Sequence, residues 1–518
     1  MVAAILAQCK VLSRDVVVGA VTAVIVVRLL GQWVAARRAR RAFPPGPPGM
    51  PLIGNVLDMP NVKEWLVYDG WAKKHGDIVG VQMAGLSIVI LNKVDDVKAL
   101  FTARAGNYSN RMSTAMIRMS GWEAALGMTN VGDYFRAQRR LMSKFLGSQV
   151  IKKTIAVQEE VTRETIANLI HKPGDVQTQL KWMTAKLLLR LTYGYDAADT
   201  QDPMFHWIDV ALESLLLTMR PDWVVNLFPF LQYLPSWLPG MGFKKVAADS
   251  RYQSECSHDE PFNENQIAVG TAQPSFALDV LSNLDTDADE LLIKEILNNM
   301  YVAGADTLIG TTSWFILAMS LFSDVQRHAQ TEIDALTDGT RLPSMDDRPS
   351  LPYLDALFKE VLRWNAVTNL GVPHISLEED VYKGFRFPKG TVFMPNIWSI
   401  FHDSKKYPDP FNFKPERFLH PASGETAEGV EVNEDPHHIA FGFGLRYGRY
   451  LADSVVWTLM ARILATCDIS SAEYTNGAAI TNDNIDSTSG FVSCPLPFTC
   501  KIVPRSDLAE TLLIEGRL

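Results

Sequence analysis

Apolar residues run almost unbroken from Val16 to Val27, interrupted only by Gly19 and Thr22, and resume after Arg28 through Leu29, Leu30, Trp33 and Val34 to Ala36. As a helix, Val16–Ala36 would be about 31 Å long, enough to cross the hydrocarbon core of a bilayer. Arg28 near its middle would cost about 2.5–3.5 kcal/mol on an insertion scale, so a helix lying on the membrane surface stays open as the alternative. Arg37, Arg38, Arg40 and Arg41 follow at once, and such a cluster belongs on the cytosolic side together with the chain after it. No small-residue cleavage signal follows, which argues for retention of the segment. The pattern therefore predicts a membrane anchor over 1–36, a basic and Pro/Gly-rich hinge over 37–51 containing Pro44-Pro45-Gly46-Pro47-Pro48-Gly49, and a folded body over 52–518.

Within that body helical periodicity dominates, with short β segments such as Gly80–Leu91 and Lys383–Met394. There are no internal repeats and no second low-complexity linker. The fold class expected is one large domain, mainly α with small β segments. The longest helical pattern follows the capping residues Asp285-Thr286-Asp287 and runs from about Asp289 to Leu321. That length implies a central, largely buried helix. Arg251–Gln273 is polar and weakly patterned, and reads as a loop followed by a short helix.

Composition narrows the function classes. The chain has 518 residues, 47% hydrophobic and 21% charged, enough to build and solubilise a large core and unlike disordered or collagen-like chains. Lys plus Arg is 49 against 58 for Asp plus Glu, a net charge of −9, which disfavours nucleic acid as a partner. Cys9, Cys256, Cys467, Cys494 and Cys500 form no CxxC pair. A disulfide framework and a Cys-rich zinc site are excluded on that count, and a reducing compartment fits.

Four motifs carry candidate chemistry. Ala303-Gly304-Ala305-Asp306-Thr307 lies at the middle of the long helix, where Ala303, Gly304 and Thr307 share one face. Two small residues beside a hydroxyl make a shallow groove for a flat cofactor or a diatomic ligand, and Asp306 with Thr307 can relay protons into an apolar pocket. A helix-packing glycine with a back-bonded threonine explains the same residues equally well. Glu360 and Arg363 stand at i and i+3, an ordinary surface pair unless Arg417 of Pro415-Glu416-Arg417-Phe418 completes a buried network. Arg139 sits in a basic stretch of an amphipathic helix and is suited to a carboxylate if it points inward. Phe441-Gly442-Phe443-Gly444-Leu445-Arg446-Tyr447-Gly448 leads into an apolar helix. Such a loop brings backbone N–H groups close to a bound group but lacks the Lys-Ser/Thr ending of a phosphate loop.

In this order and spacing, the segments resemble the cytochrome P450 family, specifically its membrane-anchored fungal type. The resemblance covers nearly the whole chain, from the anchor and hinge through Trp364-Asn365 and Pro373-His374 to the closing Pro495–Arg505 stretch. It implies a single P450-type domain behind an N-terminal anchor, in the endoplasmic reticulum membrane with the catalytic domain cytosolic. It also implies haem, a small apolar substrate of secondary metabolism, and electrons from NADPH through a membrane-bound reductase docking near Lys405, Lys406 and Arg449. By resemblance, Asp306 and Thr307 relay protons, and Glu360, Arg363 and Arg417 form a structural triad. Arg139, His374 and Arg446 hold the haem propionates, with Gly304, Phe441 and Gly444 also against the cofactor. Val367–Gly371 with Leu370, the Tyr108–Trp122 loop, and Gly490 with Phe491 line the substrate pocket.

The departure from the family lies where its chemistry is defined. Phe441, Gly444 and Arg446 match the proximal loop, in which a Cys should follow two residues after the Arg, and none does. Without a gap, Gly448 takes the Cys position; with two residues deleted, Gly448 is the following Gly and the match resumes cleanly. No metal ligand is identifiable, and Tyr447 is the substitute the loop offers. Phe135, Leu308 and Ala366 are smaller departures, standing where Trp, a hydroxyl residue and Pro are usual. Because the thiolate drives O–O cleavage, oxygen activation of the usual kind should fail. Three readings stay open: a monooxygenase whose gene carries two further codons here, a ligand-less membrane-anchored binding or regulatory protein, and haem retained with Tyr447 as an oxygen ligand.

Overall fold

A computed structural model describes residues 42–515, apart from 173–174, 198–201, 221, 268–272, 283–289, 420–431 and 445. The expected anchor and its arginines lie outside the described residues. The principal helices are α1 (Asp133–Leu146), α2 (Ile155–His171), α3 (Val176–Tyr193), α4 (Pro203–Thr218), α5 (Phe243–Ile267), α6 (Glu290–Leu321), α7 (Pro352–Trp364) and α8 (Arg449–Thr466). Among the described residues nine short strands accompany them: β1 (Ile78–Met83), β2 (Leu86–Leu91), β3 (Asn110–Arg111), β4 (His374–Ile375), β5 (Asp380–Tyr382), β6 (Phe385–Phe387), β7 (Val392–Pro395), β8 (Cys467–Tyr474) and β9 (Phe498–Pro504). The two β segments of the sequence pattern are thus hairpins and their continuations, and the mainly α class holds.

Helix α6 is the spine. It is apolar all round, as a helix buried on every side must be, and Trp314, Phe315, Ile316 and Leu317 are almost fully excluded from solvent. Its hydropathy would suit a membrane span, but it is the core helix of this body. Helix α3 packs closely along it, and Gly304 permits that approach, because a Cβ there would stand 3.1 Å from Leu188 Cδ1. Helix α8, with Trp457 buried, closes the other side of the same core.

A second core lies under the five-stranded sheet, ordered β1-β2-β7-β4-β3. β1 and β2 pair as an antiparallel hairpin, β2 runs parallel to β7 with Ile88 opposite Val392, and His374 of β4 pairs with Arg111 of β3. The Pro/Gly segment is docked on this sheet: Phe43 is buried, and Gly80 N donates to Pro45 O at 2.9 Å.

One expectation fails in its first part. Over Arg251–Ile267 the chain is not a loop, since α5 continues as helix through Pro261 to Ile267, and residues 268–272 lie outside the described ones. The helix buries small polar residues in place of an apolar stripe. Ser250 Oγ accepts from Trp122 Nε1 at 3.1 Å and Ser257 Oγ from Asn298 Nδ2 at 3.1 Å, so tertiary hydrogen bonds, invisible to hydropathy, hold it. The short helix stands at Phe276–Ser282, beyond the stretch in which the sequence pattern places it.

The expected ion network is buried. Glu360 and Arg363 are both 0% exposed. Arg363 donates from Nε to Glu360 Oε2 at 2.7 Å and from Nη2 to Oε1 at 2.8 Å, and its Nη1 reaches Phe401 O and Pro410 O. Glu360 Oε1 also accepts from Lys414 N at 2.8 Å and stands 3.5 Å from Arg417 Nε. The network therefore ties α7 to the irregular 401–418 segment leading towards the proximal loop. Glu360→Ala strands Arg363 as an uncompensated buried charge, and the expected loss is about 3–5 kcal/mol, measured as the shift in the denaturant midpoint. A midpoint within error of wild type would refute a bracing role.

Candidate active site

The central cavity, about 720 Å³, lies between α6 and the loop Phe441–Gly448. Ala303, Gly304, Asp306 and Thr307 line it from α6, Arg139 from α1, Arg111 and His374 from β3 and β4, and Phe441, Gly444, Arg446 and Tyr447 from the loop. Residues scattered through the sequence motifs thus converge on one space. Val367 and Phe491 also line it, as expected.

Two expected pocket residues do not. Leu370 packs under the sheet with Tyr68, Val79 and Ile90, because the chain turns at Gly371 and points the neighbouring side chain to the opposite face. Gly490 is the φ +104° hinge of its turn and presents Phe491 and Val492 instead. In the Tyr108–Trp122 loop, Ser109 and Arg111 reach the cavity, while Tyr108 packs edge-on against Phe393 and Trp122 joins a separate cluster. The following residues Ala125–Met128 take the pocket position.

Thr307 Oγ1 donates to Ala303 O at 3.0 Å, so the back-bonded reading is realised alongside the cavity-lining one. Asp306 lines two spaces at once. Besides the central cavity it borders a pocket of about 10 Å³, room for one water, together with Lys181, Thr184, Asp209 and Tyr301. Burial raises its carboxyl to about 6, with Asp209 and Glu213 adding to the rise and Lys181 opposing it. Lys181 Nζ and Asp209 Oδ1 form a 2.6 Å pair on the far side. Lys181, Asp209 and Asp306 thus gather around one small pocket, while the Thr307 hydroxyl is engaged by carbonyls of its own helix. Lys181 and Asp209 carry no local sequence signal, since each is an ordinary charge on an amphipathic helix.

The arginines gather at one end. Burial, then Arg139 and Arg446, lower Arg111 to about 10, and burial lowers Arg446 as well. Arg111 is a site residue the motif search missed; its two-residue strand gives no periodicity. His374 Nδ1 is bonded to Tyr108 O, and burial followed by Arg111 pushes the ring down to about 3. With Nδ1–H donated to that carbonyl, the neutral ring shows a bare Nε2, so His374 holds an anion only on taking up a proton. Asp306 is the sole carboxylate among the described lining residues. Three guanidinium groups thus share one end of a cavity whose sole described carboxylate is Asp306.

These features fit the organic part of haem: a large apolar slot, guanidinium groups at one end, and a loop wall that stands clear, since a Cβ on Gly444 or Gly448 would meet nothing within 4 Å. The donor set does not fit the thiolate that the family places on iron. Cys256 is on α5, Cys467 opens β8, Cys494 Sγ packs where a Gly310 Cβ would be, and Cys500 is in β9; none lines the cavity. Burial raises the thiols of Cys467, Cys494 and Cys500 to about 12, so each is an inert packing group.

Behind the loop, His437 donates to Asp435 Oδ1 at 2.6 Å and Asp453 Oδ1 at 3.0 Å. Burial alone would lower its pKa, but these two carboxylates outweigh burial and raise it to about 9. Its ring stacks on Phe441 at 5.6 Å, and Asp453 is held in turn by Arg348. The start of the loop is thereby clamped to the first turns of α8.

Comparison with known proteins agrees with this arrangement. The cytochrome P450 family model matches residues 44–501. Cytochrome P450 monooxygenase 208 of Postia placenta is 39% identical over 95% of this chain and 96% of its own. Cytochrome P450 monooxygenase claR of Ampulloclitocybe clavipes is 36% identical over 95% and 91%. Tryptamine 4-monooxygenase of Psilocybe cyanescens is 36% identical over 92% and 95%. A match of that extent, on a fold whose central helix and buried ion network stand as the motifs require, makes this chain a member of the cytochrome P450 family.

Proposed function

We propose that the chain is a membrane-anchored, haem-binding protein of the monooxygenase lineage, acting in secondary metabolism on a small, neutral, apolar molecule. The observation that carries this reading is one cavity holding Asp306 and Thr307 on the α6 wall and three arginines at one end. Arg139, Arg446 and Arg111 would hold the propionates. Haem, when bound, supplies the redox chemistry; the chain's part is to orient the substrate, exclude water and pass protons through Asp306 to the Thr307 hydroxyl. Electrons would come from NADPH through a reductase at the proximal face near Lys405, Lys406 and Arg449. The anchor segment and the exposed Leu52 (92%), Tyr233 (82%) and Trp237 (79%) support residence at the endoplasmic reticulum membrane, with the body on the cytosolic side.

A second reading, a ligand-less binding or regulatory protein, is favoured by one observation: no thiol lines the cavity. Haem content after purification separates the two. Sequencing the transcript across Phe441–Leu451 decides whether two further codons exist.

Charge sets the substrate class. The distal space is lined by apolar side chains such as Met128, Leu215, Met219 and Val302, and its sole carboxylate is raised towards neutrality. An ammonium would find no stable counter-charge there, since Asp306 is the sole described lining carboxylate and the arginines are matched by the propionates they would hold.

Three outcomes are expected. The chain as it stands, reduced under CO, gives no spectrum of thiolate-ligated haem; observing that spectrum contradicts the missing-ligand reading. In equilibrium dialysis, 3-propylindole binds at least about tenfold more tightly than tryptamine, its ammonium counterpart, in line with about 1.4 kcal/mol or more of uncompensated desolvation; tighter tryptamine binding rejects the neutral-substrate assignment. Because Asp306 binds its proton more strongly in the folded state (about 6 against 3.8), folding stability falls as pH rises from about 4 to 6 and is level above. Asp306→Asn therefore raises the unfolding midpoint near pH 7, and the gain shrinks near pH 5. A gain that does not change with pH would rule out this carboxyl as its source.

A further inference from the structure

We infer that Tyr447 is the proximal ligand of the haem iron, binding through its phenolate oxygen. This rests on the reading of the cavity as a haem slot and assigns the contact that the missing thiol leaves open.

The wall opposite α6 is made by the loop and the first turns of α8. Its described lining residues are glycines, aromatic or aliphatic side chains, Arg446 and Tyr447. Of these, the Tyr447 oxygen alone can donate electrons to a metal. His437, just behind, has both ring nitrogens engaged by carboxylates, and His374 stands at the arginine end with Nδ1 committed to Tyr108 O. No hydrogen bond joins the Tyr447 hydroxyl to any described residue, although the ring is partly buried.

Three features suit the proposed contact. The Arg139 guanidinium lies 4.9 Å from the centroid of the Tyr447 ring, placing positive charge beside an electron-rich phenolate. Gly448, the next residue, is the N-cap of the 18-residue α8, whose positive dipole end faces this turn. Gly444 and Gly448 leave open space around the loop, so no side chain on either blocks the approach of a flat group. Haem iron accepts tyrosine as a ligand in other folds. Binding breaks the phenol O–H bond, releases the proton to solvent and forms an Fe–O bond, and iron keeps its oxidation state.

The test uses the full chain purified with haem, alongside Tyr447→Phe. Resonance Raman excitation in the ferric charge-transfer band should enhance phenolate modes in the wild type, and Tyr447→Phe should abolish both band and modes while the arginines still retain haem. Because the wild-type spectrum is itself diagnostic, failure of the variant to fold leaves the assignment testable. Haem bound with the same spectrum in both proteins, and without phenolate modes, overturns the Tyr447 assignment alone. Absence of haem from both overturns the slot reading together with it.

Discussion

One buried carboxylate organises the half of the molecule that carries the chemistry. Glu360 is fully excluded from water and shares its two oxygens among Arg363, the Lys414 amide and Arg417. In a medium of low polarity an isolated charge is intolerable, so the three partners must be present together. The irregular 401–418 segment, which has no ladder of its own, is held because it supplies backbone carbonyls to Arg363 and guanidinium to Glu360. The site is built on that brace: α7 carries the network on one face and, through Phe358 and Leu362, part of the cavity wall on another.

A second buried charge set works in the same way closer to the ligand loop. His437 is cationic because two carboxylates hold it, and those carboxylates are tolerable because His437 and Arg348 neutralise them. Neither set supplies a reacting group. Both convert electrostatic necessity into position, one for the sheet side and one for the loop between α7 and α8.

Much of this was legible in the residues. The apolar run ending at Leu321, the Glu-x-x-Arg pair and the glycine-rich loop each carry a local physical signature, and each stands where its pattern implies, while the capping residues Asp285-Thr286-Asp287 lie outside the described ones. What escaped had no such signature. Arg111 acts from a two-residue strand whose partner is 263 residues away in sequence at His374. The Lys181–Asp209 pair joins two helices whose contact is set by packing alone. α5 holds together through serine hydroxyls that hydropathy scores as loop. Leu370 fell on the wrong face because one turn at Gly371 reverses which neighbours look inward.

Gly448 has helical backbone angles, φ −60° and ψ −9°, and free space where a side chain would begin. Glycine codons ending in a pyrimidine differ from cysteine codons by one base. From such a codon a thiol at the mouth of α8 would be a single transversion away, over a backbone that already tolerates a side chain. A sulfur at this position would ask for no rebuilding of the loop, whereas removal of Glu360 would strand Arg363 as a buried charge.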